Sequence, residues 1–445
     1  MLDTGAPANG MPPEPEASVD DGLPTETLTI DMLAADMLAP AYGPDSLAAV
    51  LPAAVGALDV DLTTATGLRS VDCTQGFGLP AADHVVVVIC DGLGYGNLVE
   101  RAGHAPFMRA HLTETRQLRT CFPATTAAAL AVFGTGTAPG LTGMLGYTVG
   151  NPNTGSLVNL VQWAQQADPR DAAADKAGRT APAFAANPLD FQREPTCFET
   201  ATTAGVTVTT VGKSRFAASG MTLAALRGGG HVGADSLTAQ VDATVRCVRA
   251  ARGGKSLTYL YTADADKAAH AHGWYSPQWV AALEAFDGEL ARLTRSLPAG
   301  TLVIMTADHG QVQADPSQRI DVANEPDLAR DVALVAGEAR AVHVYASDGV
   351  NPDTLAARWR VTLGDRAIVA TRDQAIAAGW LGPTSVTVPD RIRPWIGDLL
   401  IAPTRQVTIV DSRTQTPASI ALKGVHGSMT ELEMTIPLIT AVSGT

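Results

Sequence analysis

Aspartates and histidines recur at the ends of apolar runs in this chain. Asp91 follows Val85 to Ile89, Asp266 and His270 follow Leu257 to Tyr261, and Asp308 and His309 follow Thr301 to Met305. His426 stands in a late GVHGS stretch. Carboxylate oxygens and imidazole nitrogens are the donors that suit zinc, with manganese as the alternative. Thr126, in CFPATTAAALAVFG, is the candidate nucleophile. A hydroxyl is a poor nucleophile at neutral pH and needs a base or a metal beside it. Each piece has a plainer reading: Asp91, Thr125 or Thr126 as a helix cap, DHG as a turn. Spacing does not choose between His270 and His272 in HAHG. What favours chemistry is that all the pieces follow strand-like runs.

The elements that must position these groups follow from the pattern. Five apolar residues, Val85 to Ile89, between turn signals read as a strand buried on both faces, the mark of a parallel sheet. Open α/β sheets gather ligands at the carboxyl ends of such strands. The glycines after Asp91 do not form a dinucleotide fingerprint, because the third glycine of GxGxxG falls on Asn97. An Ala-rich helix is expected to begin at Thr125 and Thr126. If the segment after Asp266 is helical, Asp266 and His270 share one face.

Further strands are expected at 206–211, 257–261 and 301–305. Residues 46–58 read as a helix that Pro52 would kink or split. The proline- and acid-rich residues 1–27 read as a disordered tail, and the rest, 28–445, as one catalytic domain. Within it, residues 148 to about 200 read as an insertion lying over the site, with a charged patch at Asp168 to Lys176. Residues 332 to about 383 read as a small accessory subdomain with strands at 341–345 and 367–370. Late strands are expected at 398–402 and 406–410.

A formal net charge of −14 argues against nucleic acid or an anionic membrane as partner. The five cysteines lack CxxC spacing, which suits a reducing cytosol better than a disulfide framework. No Lys or Arg precedes Arg69, and no apolar run reaches the roughly 20 residues needed to span a bilayer. The expectation is a cytoplasmic protein acting on a small substrate, with its oligomeric state open.

Taken together, the motifs resemble the alkaline phosphatase superfamily, and within it the type I phosphodiesterase/nucleotide pyrophosphatase family. The matching residues are Asp91-Gly92, then Phe122, Pro123 and Thr126 ahead of Thr135-Gly136. They continue with Asp266, His270 and Gly273 (DxxxHxxG, which selects His270), Asp308 to Gly310, Gly424 to Gly427, and the closing ELEMTIPLI, similar to the family's usual last strand. The resemblance implies an α/β fold with a mostly parallel central sheet, helices on both faces and a smaller accessory subdomain. It implies a hydrolase of phosphodiester or pyrophosphate bonds, with a small phosphate ester such as a nucleotide as substrate. It also implies two divalent ions, zinc or manganese. One would be held by Asp266, His270 and His426, the other by Asp91, Asp308, His309 and the Thr126 oxygen. The family's phosphodiesterases commonly have Asn three residues after the nucleophile, where this chain has Ala129. Lys213 or Arg215 are the candidate replacements as substrate-binding groups. A phosphomonoesterase with the same site is the alternative. A sulfatase is disfavoured because Cys121 lies fifteen residues before Gly136, which leaves Thr126 in the nucleophile slot. A non-catalytic metal-binding protein is disfavoured by the complete ligand set.

Overall fold

The apolar run after His84 forms the strand at the middle of a seven-stranded sheet, and only His84 itself is less than buried. The structure is a computed structural model that describes residues 1, 36–112, 115–165 and 183–444. The expected tail at 1–27 and the Asp168–Lys176 patch lie outside the described residues, Met1 excepted.

In chain order the central strands are β1 (His84–Cys90), β2 (Arg116–Arg119), β3 (Thr207–Gly212), β4 (Gly230–Gly233), β5 (Ser256–Thr262), β6 (Leu302–Thr306) and β7 (Thr435–Val442). They lie across the sheet as β2-β7-β6-β1-β5-β3-β4. The pairs β6-β1, β1-β5, β5-β3 and β3-β4 are parallel, while β7 runs antiparallel to both β2 and β6. Neighbouring parallel strands end on the same edge, so β6, β1 and β5 bring Asp308, Asp91 and Asp266 to one place. The connecting helices carry apolar faces onto the sheet and share its core, with Trp279, Leu283 and Leu290 of Pro277–Ser296 buried in it.

A four-stranded antiparallel sheet forms the small subdomain, in the order 332–338, 341–346, 399–403, 367–371. It has its own core around Trp359, Leu355 and Ile401. Its strand Leu399–Pro403 comes from beyond residue 383, so the sheet draws on one of the late strands. The first part of the insertion folds as a three-stranded sheet, 148–150, 157–159 and 164–165.

Two local expectations need correction. Pro52 neither kinks nor splits its segment: it falls in the first turn of the helix Val50–Ala57, after a 3-10 turn at Leu47–Ala49. A first-turn residue has no intrahelical use for its N–H, so proline fits there. The closing ELEMTIPLI is not all strand. Glu431–Met434 is a short helix and the strand begins at Thr435.

Candidate active site

β1 ends at Cys90, and Asp91 is the first residue past it, 2% exposed. Asp91 is not a helix cap. The next helix, Tyr95–Glu100, has Gly94 at its cap position. The turn between them needs glycine at residue 92, where φ is +74° and a Cβ would come within 2.5 Å of Gln311 Nε2. The Gly92 N–H donates to Asp308 Oδ1 at 3.1 Å, tying the β1 turn to the β6 turn.

The helix α1 (Thr126–Thr135) starts with Thr126 as its first residue and Thr125 at the cap position. The Thr125 hydroxyl makes no capping hydrogen bond. Thr126 is half-buried and its Oγ1 lies 3.3 Å from His309 Nε2. After β5, the helix α2 (Asp264–His272) places Asp266 and His270 one turn apart, with His270 Nε2 3.3 Å from Asp266 Oδ1. His272 is exposed. His426 comes from the loop after Gly424–Val425, a two-residue strand paired with Val312–Gln313. Its Nε2 is 3.8 Å from Asp266 Oδ1. The His309 and His426 rings stack with centroids 3.7 Å apart.

Two donor groups result. Asp266, His270 and His426 bring one ligand atom each within 4.8 Å of one another, and so do Asp91, Asp266 and His309. Asp308 lies beside the second group, with its Oδ2 3.5 Å from His309 Nε2. Asp266 therefore belongs to both groups, where the sequence motifs assigned it to one.

The imidazoles share one orientation. His270 Nδ1 meets the Gly424 carbonyl at 2.7 Å, His426 Nδ1 the Ala124 carbonyl at 2.9 Å, and His309 Nδ1 the Gly310 carbonyl at 3.2 Å. A carbonyl only accepts, so each Nδ1 carries a proton and each Nε2 is the nitrogen left facing the carboxylates. Metal-ligating histidines are commonly held in this way.

Burial, then the charges of Asp308 and Asp266, hold the Asp91 carboxyl well above the usual carboxylate range, against the opposing hydrogen bond from Tyr261. Burial also raises Asp308, opposed by His309 and the Gly92 N–H. His426 is pushed well below the usual imidazole range by burial and by its neighbours His309 and His270. Asp91 Oδ1 and Asp308 Oδ2 are buried with no hydrogen-bond partner. Crowded carboxylates with orphaned oxygens, facing imidazole Nε2 atoms, fit divalent cations.

Several groups at the site were not legible as functional. The Tyr261 hydroxyl donates to Asp91 Oδ2, yet in sequence Tyr261 belongs to an apolar strand. Gln311 Nε2 donates to Asp266 Oδ1 at 2.5 Å, and its only signal is adjacency to DHG. Lys213 Nζ reaches Asp264 Oδ1 at 3.3 Å, at the start of α2. Arg215 lies over the Phe216 ring, which packs against Tyr261. Lys267, also on α2, is lowered from the usual lysine range by burial and by Lys213 and Arg215. These cations form one cluster, which Phe216 and Tyr261 connect to the Asp91 carboxylate. Ala129 is fully buried one turn along α1 and offers no side-chain donor.

Comparison with known proteins is consistent with this geometry. The family model for Type I phosphodiesterase / nucleotide pyrophosphatase matches residues 85–429. No curated protein matches the chain in sequence. Among solved structures, phosphonoacetate hydrolase from Sinorhizobium meliloti, in complex with phosphonoformate, superposes with a TM-score of 0.60 at 19% identity. That match covers 86% of this chain and 93% of the hydrolase. An inactive variant of murine ectonucleotide pyrophosphatase / phosphodiesterase 5 in complex with AMP gives a TM-score of 0.57 at 14% identity, covering 80% of this chain and 87% of that one.

Proposed function

Because the chain belongs to the Type I phosphodiesterase / nucleotide pyrophosphatase family, a family of phosphoric ester hydrolases, we propose that it cleaves phosphodiester or pyrophosphate bonds with Thr126 as nucleophile. One observation carries this reading. Three imidazoles point Nε2 into a set of buried carboxylates, with the Thr126 hydroxyl 3.3 Å from one of them.

Asp266, His270 and His426 would hold one divalent ion, and Asp91, Asp308, His309 and the Thr126 oxygen the other. Such ions, zinc in this reading and manganese as the alternative, would neutralise the carboxylates, favour the alkoxide of Thr126 and stabilise charge on the phosphoryl oxygens. The chain supplies the rest. α1 presents Oγ1 at its first residue, where free backbone N–H groups can donate to a phosphoryl oxygen. The Thr126 Oγ1–P bond forms as the ester P–O bond breaks; the threonine proton passes to solvent and the leaving oxygen takes one up. Water then attacks the phosphothreonine phosphorus, releasing the phosphate product and restoring the hydroxyl.

Lys213 and Arg215, joined by Lys267, would bind a negatively charged flank of the substrate, as a nucleotide carries. With its cysteines all free and no described helix long and apolar enough to cross a membrane, we place the enzyme in the cytoplasm. A phosphomonoesterase is the second reading, favoured by Ala129, because losing one phosphoryl donor typically costs about 10²–10³ in rate.

Turnover of an aryl phosphodiester and its matching monoester, measured on the metal-reconstituted protein, separates the two readings. We expect diester preference, and Thr126→Ala to lower the rate by about 10³-fold or more. A strong monoester preference would install the second reading, and undiminished hydrolysis by Thr126→Ala would remove the nucleophile.

A further inference from the structure

The hairpin of the small subdomain reaches back to the site. Its strands 332–338 and 341–346 turn at residues 339 and 340, directly against the His426 loop. A Cβ on Gly427 would lie 3.1 Å from the Ala341 Cβ. On this hairpin Glu338, which the motifs do not include, puts Oε2 3.7 Å from His426 Nδ1. Its side chain is only 17% exposed and that of His426 only 4%. The Tyr147 backbone N–H and the Thr125 hydroxyl face the same carboxylate, with the hydroxyl outside hydrogen-bond geometry.

The placement is held from both sides. On one, Thr148 Oγ1 donates to the Gly337 carbonyl and accepts from the Gly337 N–H, each at 2.9 Å. On the other, Arg340 is fully buried and grips Glu433 in bidentate fashion, Nε to Oε1 at 3.1 Å and Nη2 to Oε2 at 2.7 Å. Arg340 also donates to the Thr404 and Val407 carbonyls, and Glu433 accepts from the Ser428 N–H. A buried carboxylate next to the protonated nitrogen of an imidazole is therefore part of a rigid construction. It is not a solvated side chain that happens to lie near.

We infer that Glu338 is a positioning residue of the metal centre, its carboxylate acting with the Ala124 carbonyl on the Nδ1–H of His426. The carbonyl takes the hydrogen bond at 2.9 Å. Burial, then the charge of Asp266, holds the Glu338 carboxyl well above its usual range in the metal-free chain; with an ion on Asp266 the carboxylate would add negative charge behind the ring, orienting the imidazole and making Nε2 a better donor. Outer groups of this kind typically change metal affinity by about 10–100-fold. The inference rests on the metal reading of Asp266, His270 and His426, not on which phosphate ester is cleaved.

The test is metal binding by the full chain, with Zn²⁺ as probe and a chromophoric chelator as competitor. Glu338→Gln keeps the shape and removes the charge; Glu338→Ala removes both. We expect wild type to hold two ions and both variants to hold one of them about 10–100-fold more weakly. The melting temperature of metal-free Glu338→Gln should not fall below that of wild type. Unchanged affinity in Glu338→Gln overturns the inference, and so does a loss confined to Glu338→Ala, which would mean packing alone. A wild type that binds no zinc would overturn the metal reading and this inference together. A wild type that binds zinc but hydrolyses no diester would leave the inference standing and remove only the proposed substrate.

Discussion

Replacing Asp91 by Asn separates two consequences of one buried charge. Asp91 Oδ1 has no hydrogen-bond partner and Asp308 Oδ2, in the same cluster, has none either. In Asp91→Asn one oxygen becomes an NH₂ that can donate to such an orphaned acceptor, while the other position still accepts from Tyr261. Leaving a buried polar group unmet costs about 1–3 kcal/mol, so the metal-free variant should be more stable than wild type by about that amount. In a chain this long that is a rise of a few degrees in Tm at most. The sign depends on pH in a defined way. The Asp91 carboxyl is held well above its usual range, so below its unfolded pKa of about 3.9 it is neutral in both states and costs nothing. As pH rises from there the unfolded state ionises first, and the metal-free fold loses stability until the buried carboxyl ionises too. The gain from Asn should therefore grow from about pH 4 upward. Activity should go the other way if Asp91 is, as proposed, a ligand of the ion beside Thr126; several kcal/mol of transition-state stabilisation is about 10³-fold in rate. Melting in EDTA and diester hydrolysis with zinc read the two effects. A metal-free Asp91→Asn that melts below wild type at neutral pH would refute the uncompensated-charge argument, and hydrolysis within tenfold of wild type would refute the ligand role.

The double variant Lys213→Ala, Arg215→Ala should raise KM for a nucleotide diester by about tenfold or more, while a diester with an uncharged flank is little affected. The gap should narrow at high salt; equal losses on both substrates would show that the cluster does not read substrate charge. His426, held well below its usual range, is neutral when folded and protonated when unfolded below about pH 6.5, so its own contribution to the metal-free fold is lost as pH falls through that value, opposite in sign to that of the raised Asp91 carboxyl. His426→Gln should shrink this loss without abolishing it, because buried His343, lowered to about 4, acts in the same direction. Melting curves at pH 8 and pH 5.5 in EDTA check it, and an unchanged difference between the two would show that His426 is not the titrating group.

How legible the site was depended on how far each interaction reaches along the chain. Asp91, Asp266 and Asp308 could be read because a strand buried on both faces is a continuous apolar run, and the residue after it falls on the sheet edge whatever the rest of the fold does. Thr126 could be read because it opens a helix. Pro52 was misjudged because its effect depends on where the helix starts, a boundary that the 3-10 turn at Leu47–Ala49 shifts. ELEMTIPLI as a whole resembles the family's last strand, although its first four residues turn as a helix under the hold of Thr430 and Arg340 on Glu433. Tyr261, Lys267 and Glu338 look in sequence like core, surface and hairpin. Their roles arise from partners 170, 54 and 88 positions away (Asp91, Lys213 and His426), and no local pattern encodes those distances.

Asp266 lies in both donor groups, and this bears on how the centre fills. Two sites that draw on one carboxylate are not independent receptors. An ion held by Asp266, His270 and His426 would change the charge and orientation of a carboxylate that also borders the other group, so the free energies of loading two ions would not add. An isotherm for zinc or manganese would then depart from a sum of two separate hyperbolas. Gln311, which donates to Asp266 Oδ1, occupies a lone pair that such an ion would compete for.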